Sequence, residues 1–260
     1  MRLEGKTALI TGVDVPLGAQ IAANFAREGA RVVGVAGSEE GRAPMEAIRA
    51  DGGDATFVQA DVNTHTGAGE AVADALSALG HIDALVNYNR VRRIQGTVLE
   101  LDDATFTEQI DGDLKPVIYV AQHAIPAMAK SGGGAVVNVS SVSSDGLKGR
   151  AIRSASHAAL EILTISMALD HGPQSIRVNA LTLGPVAPEN PKGGNVADFE
   201  ENALSPIGKV PTPEEVGAAA VFLASDEAGA ITGILLRIDG GRSLRGGDPT
   251  TRALPSTHSG

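Results

Sequence analysis

The sequence predicts a doubly wound parallel α/β sandwich of seven strands with helices on both faces. Two observations carry this. Short apolar runs alternate with longer helical patterns along almost the whole chain. The strand-like runs are also apolar at successive positions rather than at every second one, as strands covered on both faces must be. Hydrophobic residues make up 43% of the 260 residues and charged residues 20%, so there is enough apolar material for such a core.

The elements follow in order. Thr7 to Thr11 reads as a buried strand, Leu17 to Glu28 as a helix, Arg31 to Ala36 as a second strand and Glu40 to Ala50 as a second helix. A third strand from Ala55 to Ala60 leads to a helix from Ala68 to Leu79, and Ile82 to Val86 is the fourth strand. A long helix from Asp103 to Lys130 precedes the fifth strand, Ala135 to Val139, and the helix Ala151 to Leu169 precedes the sixth, Ile176 to Leu181. After a Pro- and Gly-rich stretch from Gly184 to Val196 come a helix over Pro213 to Leu223 and a last strand over Gly233 to Ile238. Strand–helix–strand units with right-handed crossovers give one doubly wound domain over residues 1–245. Residues 246–260 are polar, rich in Gly, Pro, Ser and Thr, and read as a flexible tail.

Composition excludes several functions. There is no cysteine, so disulfides, thiolate metal sites and a Cys nucleophile are out. Tryptophan is absent, and two tyrosines and five phenylalanines are too few for a base-stacking platform. Lys plus Arg number 21 against 31 for Asp plus Glu, a formal charge of −10 that argues against nucleic acid and anionic membranes as partners. No apolar run spans a bilayer, and Met1 to Lys6 lead straight into a strand with no readable signal peptide, so a cytoplasmic protein is expected. No histidine spacing suggests a metal site.

The first strand ends in Thr11-Gly12-Val13-Asp14-Val15-Pro16-Leu17-Gly18. A glycine turn running into a helix N-terminus suits a pyrophosphate, because free N–H groups and the helix dipole favour an anion. Further pieces are Ala60-Asp61-Val62, Ala84-Leu85-Val86-Asn87, Val137-Asn138-Val139-Ser140-Ser141 and Ser154-Ala155-Ser156 with Ala158-Ala159-Leu160. Ile176-Arg177-Val178-Asn179-Ala180, Gly184-Pro185-Val186 and Ile231-Thr232-Gly233 with Asp239-Gly240-Gly241 complete the set. In this order and spacing they resemble the short-chain dehydrogenase/reductase family over about residues 4 to 245, which implies a Rossmann-type fold.

The resemblance implies hydride transfer between NAD or NADP and an alcohol or carbonyl. It places cofactor contacts at Thr11, Gly12, Gly18, Asp61, Val62 and Asn87. It places the family's catalytic serine on Ser141, its tyrosine on Arg153, its lysine on His157 and its helix asparagine on Asp113. Only the serine is kept, and the Ser141-to-Arg153 spacing is one residue shorter than the family's. The tyrosine normally gives the proton; Arg153 stays protonated and is a poor shuttle. Pro16 lacks an N–H for a phosphate, Arg90 stands where a glycine leaves room, and Pro188 stands where a threonine meets the nicotinamide amide. The end of the second strand, Val35-Ala36-Gly37-Ser38, offers no acid for a ribose diol, so NAD and NADP are not distinguished.

The replacements have chemistry of their own. Arg153 and His157 share a helix face, and a His backed by Asp113 is an acid/base near neutral pH. Arg90, Arg92 and Arg93 after the fourth strand, with Lys148 and Arg150 after the fifth, gather cations at the carboxyl edge. Pairing with Asp145 and Asp102 is the rival use of those cations. The expected function is therefore non-redox acid/base chemistry (dehydration, isomerisation, cyclisation or hydrolysis) on an anionic or carrier-linked small molecule. The alternatives are an NAD(P)-dependent oxidoreductase with an unusual proton relay, and a silent binding or scaffold subunit. Family analogy implies a homodimer or homotetramer and a mobile substrate loop from Pro188 to Ser205.

Overall fold

The computed structural model describes residues 1–89, 94–187 and 205–245. Strands β1 (Thr7–Thr11), β2 (Arg31–Ala36), β3 (Asp54–Gln59), β4 (Ala84–Asn87), β5 (Gly134–Ser141), β6 (Ile176–Leu183) and β7 (Leu235–Ile238) form one sheet in the order β3-β2-β1-β4-β5-β6-β7. Every neighbouring pair is parallel. After β3 the chain crosses back to place β4 beside β1, and the gap between β1 and β4 is the switch point at which such sheets open a ligand crevice.

Helices α1 (Pro16–Arg27), α2 (Arg42–Ala50) and α6 (Pro213–Ala224) cover one face. Their Ile21, Phe25, Met45, Val216 and Leu223 pack on Ile10, Val86, Val137 and Leu181. Helices α3 (His65–Leu79), α4 (Asp103–Lys130) and α5 (Ala151–His171) cover the other. There Val72, Val120, Met128 and Met167 pack on Leu9, Val33, Val136 and Val178. Strand period decides which face a residue serves: in β5 the even positions look toward α4 and α5 and the odd ones toward α1 and α6.

Local chemistry sets the element ends. α1 begins at Pro16, one residue earlier than expected, because proline is favoured at the first helical position. α6 begins on a capping box, with Thr212 accepting from the Glu215 amide and Glu215 accepting from the Thr212 amide. β7 starts at Leu235 rather than Gly233, whose φ of +74° breaks the strand. No helix among the described residues is long and apolar enough to cross a membrane.

Candidate active site at the carboxyl edge of the sheet

All seven strands end at one edge, which gathers the glycine turn, Asn87, Ser140 and Ser141. At the turn, Gly12 has φ +72°, and a side chain there would sit 2.3 Å from the Tyr88 carbonyl oxygen. A Cβ on Gly18 would lie 2.0 Å from the Gly12 carbonyl oxygen, so both positions require glycine. The Thr11 hydroxyl donates to the Tyr88 carbonyl and accepts from the Tyr88 amide, both at 3.0 Å. These bonds staple the end of β1 to the residue that follows β4.

Helix α1 has Val15 at its N-cap and no side chain capping it, so the Leu17 and Gly18 amides have no partner within the helix. Pro16 removes only a donor that a first-turn residue leaves unused inside the helix. The cradle thus fits a dinucleotide pyrophosphate. Asp61, exposed, accepts from the Asn63 amide at 3.0 Å, and Val62 is buried beside it. Asn87 donates to Asn138 at 2.9 Å, and its own Oδ1 is buried without a hydrogen-bond partner among the described residues.

One acid was missed in the sequence. Asp14, inside the glycine turn, accepts a 3.2 Å hydrogen bond from Ser38, just past β2. It brings a carboxylate to the strand end where a dinucleotide fold binds the ribose. No sequence signal joins these residues, because their contact is made across the sheet.

The second half of the site is built on α5. Arg153, His157 and Glu161 stand one turn apart and so line one face. The hydroxyl that His157 meets is that of Ser140, at 3.4 Å from Nδ1, and not that of the expected Ser141. α5 covers only the even face of β5. The Ser141 hydroxyl instead accepts from the Ser143 amide at 3.3 Å and the Ser143 hydroxyl at 2.7 Å. Glu161, also missed, accepts at a single Oε1 from Ser140 (3.2 Å), Ser144 (3.0 Å) and Thr182 of β6 (2.9 Å). The strand period with the four-residue step from His157 was the available signal.

Asp113 reaches the site from α4, but it does not hydrogen-bond His157. Its buried carboxylate accepts from Ser156 and, at 2.6 Å, from Gln109. It acts on the ring through charge. Burial drives the His157 pKa down from 6.5 to about 4, with Asp113 opposing and Arg153 adding to the fall. The ring is therefore neutral at pH 7 rather than poised near it. Its Nε2 is buried and has no hydrogen-bond partner among the described residues.

The cations divide. Arg90, Arg92 and Arg93 lie outside the described residues, as do Pro188 to Leu204 of the expected substrate loop. Lys148 is exposed, and Arg150 is half-buried at the N-cap of α5. Burial and the nearby Arg150 charge lower the pKa of Arg242, a cation from the segment after β7. Asp145 is held by Arg237 of β7 in a two-pronged ion pair, one contact 2.7 Å, while Asp102 caps α4 by accepting from the Thr105 amide at 2.8 Å. Among the described residues no three His, Asp or Glu side chains cluster to hold a metal ion.

Comparison with known proteins agrees with this frame. The family model described as "Enoyl-(Acyl carrier protein) reductase" matches residues 12–243. The chain is 36% identical over 248 residues to 2,5-dichloro-2,5-cyclohexadiene-1,4-diol dehydrogenase of Sphingobium indicum, covering 94% of this chain and 98% of that one. It is also 36% identical to the oxidoreductase UcpA of Salmonella typhimurium, covering 94% and 96%. A crystal structure from Burkholderia xenovorans, titled as a short-chain dehydrogenase/reductase, superposes with a TM-score of 0.86 at 31% identity, covering 94% of this chain and 98% of that chain. A variant of a Serratia marcescens short-chain dehydrogenase/reductase gives 0.85 at 33% identity, covering 94% and 100%.

Proposed function

The chain belongs to the short-chain dehydrogenase/reductase family, and on that premise we propose an oxidoreductase that binds a nicotinamide cofactor on its glycine turn and exchanges the substrate proton at His157 Nε2 in place of a tyrosine. The observation that carries this is the cradle: Gly12 and Gly18 hold the required close turn, and the Leu17 and Gly18 amides of α1 are open. The names of the similar proteins, a dehydrogenase and an oxidoreductase, favour it over the non-redox reading.

When bound, the nicotinamide supplies the hydride acceptor or donor. His157 is neutral at pH 7, so Nε2 is ready to take a hydroxyl proton as a substrate alcohol becomes a carbonyl. Arg153, one turn earlier, offers fixed positive charge to the oxygen as it turns anionic. Asp113 favours the imidazolium that forms. Burial keeps the ring uncharged at pH 7, so the oxidation direction runs with the correct form at rest. His157→Gln is expected to lower turnover by about 10²–10⁴-fold while the circular dichroism spectrum stays unchanged.

Asp14 supports NAD(H) over NADP(H), since its carboxylate accepts from ribose hydroxyls and repels a 2′-phosphate. Calorimetric titration with NADH and NADPH tests both points. NADH is expected to bind at least tenfold more tightly, and Asp14→Asn to narrow the gap. Preference for NADPH overturns the role of Asp14. No binding of either at millimolar concentration overturns the oxidoreductase.

A second reading keeps the same base without a cofactor: dehydration, isomerisation, cyclisation or hydrolysis of an anionic small molecule. Arg153 in the tyrosine's place, with Arg150 at the start of the same helix close enough to Arg242 to lower its pKa, favours it. Turnover of a carboxylate or phosphate substrate in cofactor-free protein is its test. The family analogy also supports self-association through α5, where Ile162 and Leu169 are 63% and 75% exposed, and sedimentation velocity checks it.

A further inference from the structure

We propose that Glu161 is a positioning residue that, acting through Ser140, fixes His157 as the Nδ1–H tautomer and so makes Nε2 the proton-accepting atom of the site. The inference rests on the reading of His157 as that acceptor, and it adds Glu161, which the family resemblance does not assign.

The argument is a count of protons. Ser140, His157 and Glu161 are at most 7% exposed, so the hydrogen bonds they make to one another are shielded from bulk solvent. Three hydroxyls, those of Ser140, Ser144 and Thr182, converge on one oxygen of Glu161, the arrangement of an acceptor-only carboxylate. The Ser140 hydroxyl has a single proton and two acceptors in reach: the carboxylate at 3.2 Å and the imidazole Nδ1 at 3.4 Å. A charged acceptor outcompetes a neutral one, more so where it is nearer. Ser140 therefore gives its proton to Glu161 and turns a lone pair toward Nδ1. That contact is a hydrogen bond only if Nδ1 carries the hydrogen. A neutral ring has one such hydrogen, so Nε2 is left bare, and Nε2 is the ring nitrogen with no hydrogen-bond partner among the described residues.

The surrounding charges are consistent with this. Asp113 of α4 and Arg153 of α5 act on the ring with opposite sign. Arg237 of β7, in whose field Glu161 lies, is itself held by Asp145 and lies near Asp239, so it does not displace the three hydroxyls from Glu161. When Nε2 takes a proton, the new charge is shared with Nδ1–H. The chain from Nδ1 through Ser140 to Glu161 then carries a charge-assisted bond at each end.

The test needs no substrate, which separates it from the proposed function. Protein labelled with ¹⁵N in its histidine rings is studied by long-range ¹H–¹⁵N correlation at pH 7, with His157 assigned from the signals missing in His157→Gln. Wild type is expected to show a protonated Nδ1 and a bare Nε2. Glu161→Gln replaces the carboxylate by a weaker acceptor of the same shape, and Ser140→Ala removes the link. Both are expected to give mixed tautomers, while the other five histidines keep their shifts. A protonated Nε2 in wild type overturns the proposal. So does a ring that stays Nδ1–H in Glu161→Gln, the variant least disturbing to the fold. A correct tautomer in a protein whose His157→Gln variant stays fully active overturns the function and leaves this assignment standing.

Discussion

At position 157 the chain holds a titratable ring that the fold keeps uncharged, and this has a consequence for stability. The native pKa is about 4 against 6.5 for the free side chain. Because the native value is the lower one, the unfolded chain binds a proton that the folded chain refuses. The stabilisation is fully present above pH 6.5 and is lost as pH falls toward 4, by roughly 3 kcal/mol at most. Urea titrations at pH 7 and pH 4.5 are expected to show this loss in wild type and a smaller one in His157→Gln. Equal losses in both proteins exclude the ring as the cause. The residue types at positions 113, 153 and 157 were legible in the sequence, because helix spacing puts Arg153 and His157 on one face whatever the surroundings. The partner hydroxyl was not. Ser140 and Ser141 are neighbours pointing to opposite faces, so a one-residue choice of register decides between them. Asp14 was invisible for a different reason: it meets Ser38 only once β1 and β2 are aligned.

Among the elements, α1 and the turn before it show how a substitution that reads as damage in the sequence costs little in the fold. Pro16 sits at the first helical position, where its fixed φ is favourable and its missing N–H breaks no helical bond. Pro16→Ala restores one amide to the anion cradle and is expected to tighten NADH by about 10–100-fold, the worth of one net hydrogen bond to a charged group. A loss of affinity shows instead that the rigid proline entry matters more than the donor. Gly18→Ala has no such latitude. Its methyl meets the Gly12 carbonyl oxygen at 2.0 Å, and backbone on both sides must move. Destabilisation of roughly 2–4 kcal/mol with loss of nucleotide binding is expected in denaturant and calorimetric titrations. Element existence was readable throughout because apolar runs average over many residues. Boundaries were less so, since they depend on single bonds. β6 runs to Leu183, two residues past expectation, because Thr182 and Leu183 find partners in Arg237 and Ile238 of β7.

For the molecule as a whole, parallel strands separate the edge that carries chemistry from the edge that carries stability. The doubly wound parallel sheet followed from the sequence because right-handed crossovers leave few topologies, whereas the site depended on contacts between segments distant in the chain. β6 spans the separation: Arg177 stands near its amino end and Thr182 near the Glu161 network. Arg177 donates to the carbonyl of Leu223 at 2.7 Å, which the end of α6 leaves without a helical partner, and to that of Ser225 at 3.0 Å, which also accepts from the Ala228 amide. Arg177→Met keeps the side-chain stem but removes the charged donor and orphans the Leu223 carbonyl, a cost of roughly 2–4 kcal/mol. For a chain of this length that lowers Tm by roughly 5–15 °C. The five residue steps from Arg177 to Thr182 span about 17 Å of strand, well beyond hydrogen-bond reach of the glycine turn or His157. The stabilisation free energy produced by saturating NADH depends, at one temperature, only on ligand concentration and affinity. Read from urea titrations at 25 °C, it is therefore expected to be the same in Arg177→Met as in wild type, although the variant starts from a lower stability. A smaller gain in the variant means that the two edges are coupled through β6, and the division of labour along the strands then fails.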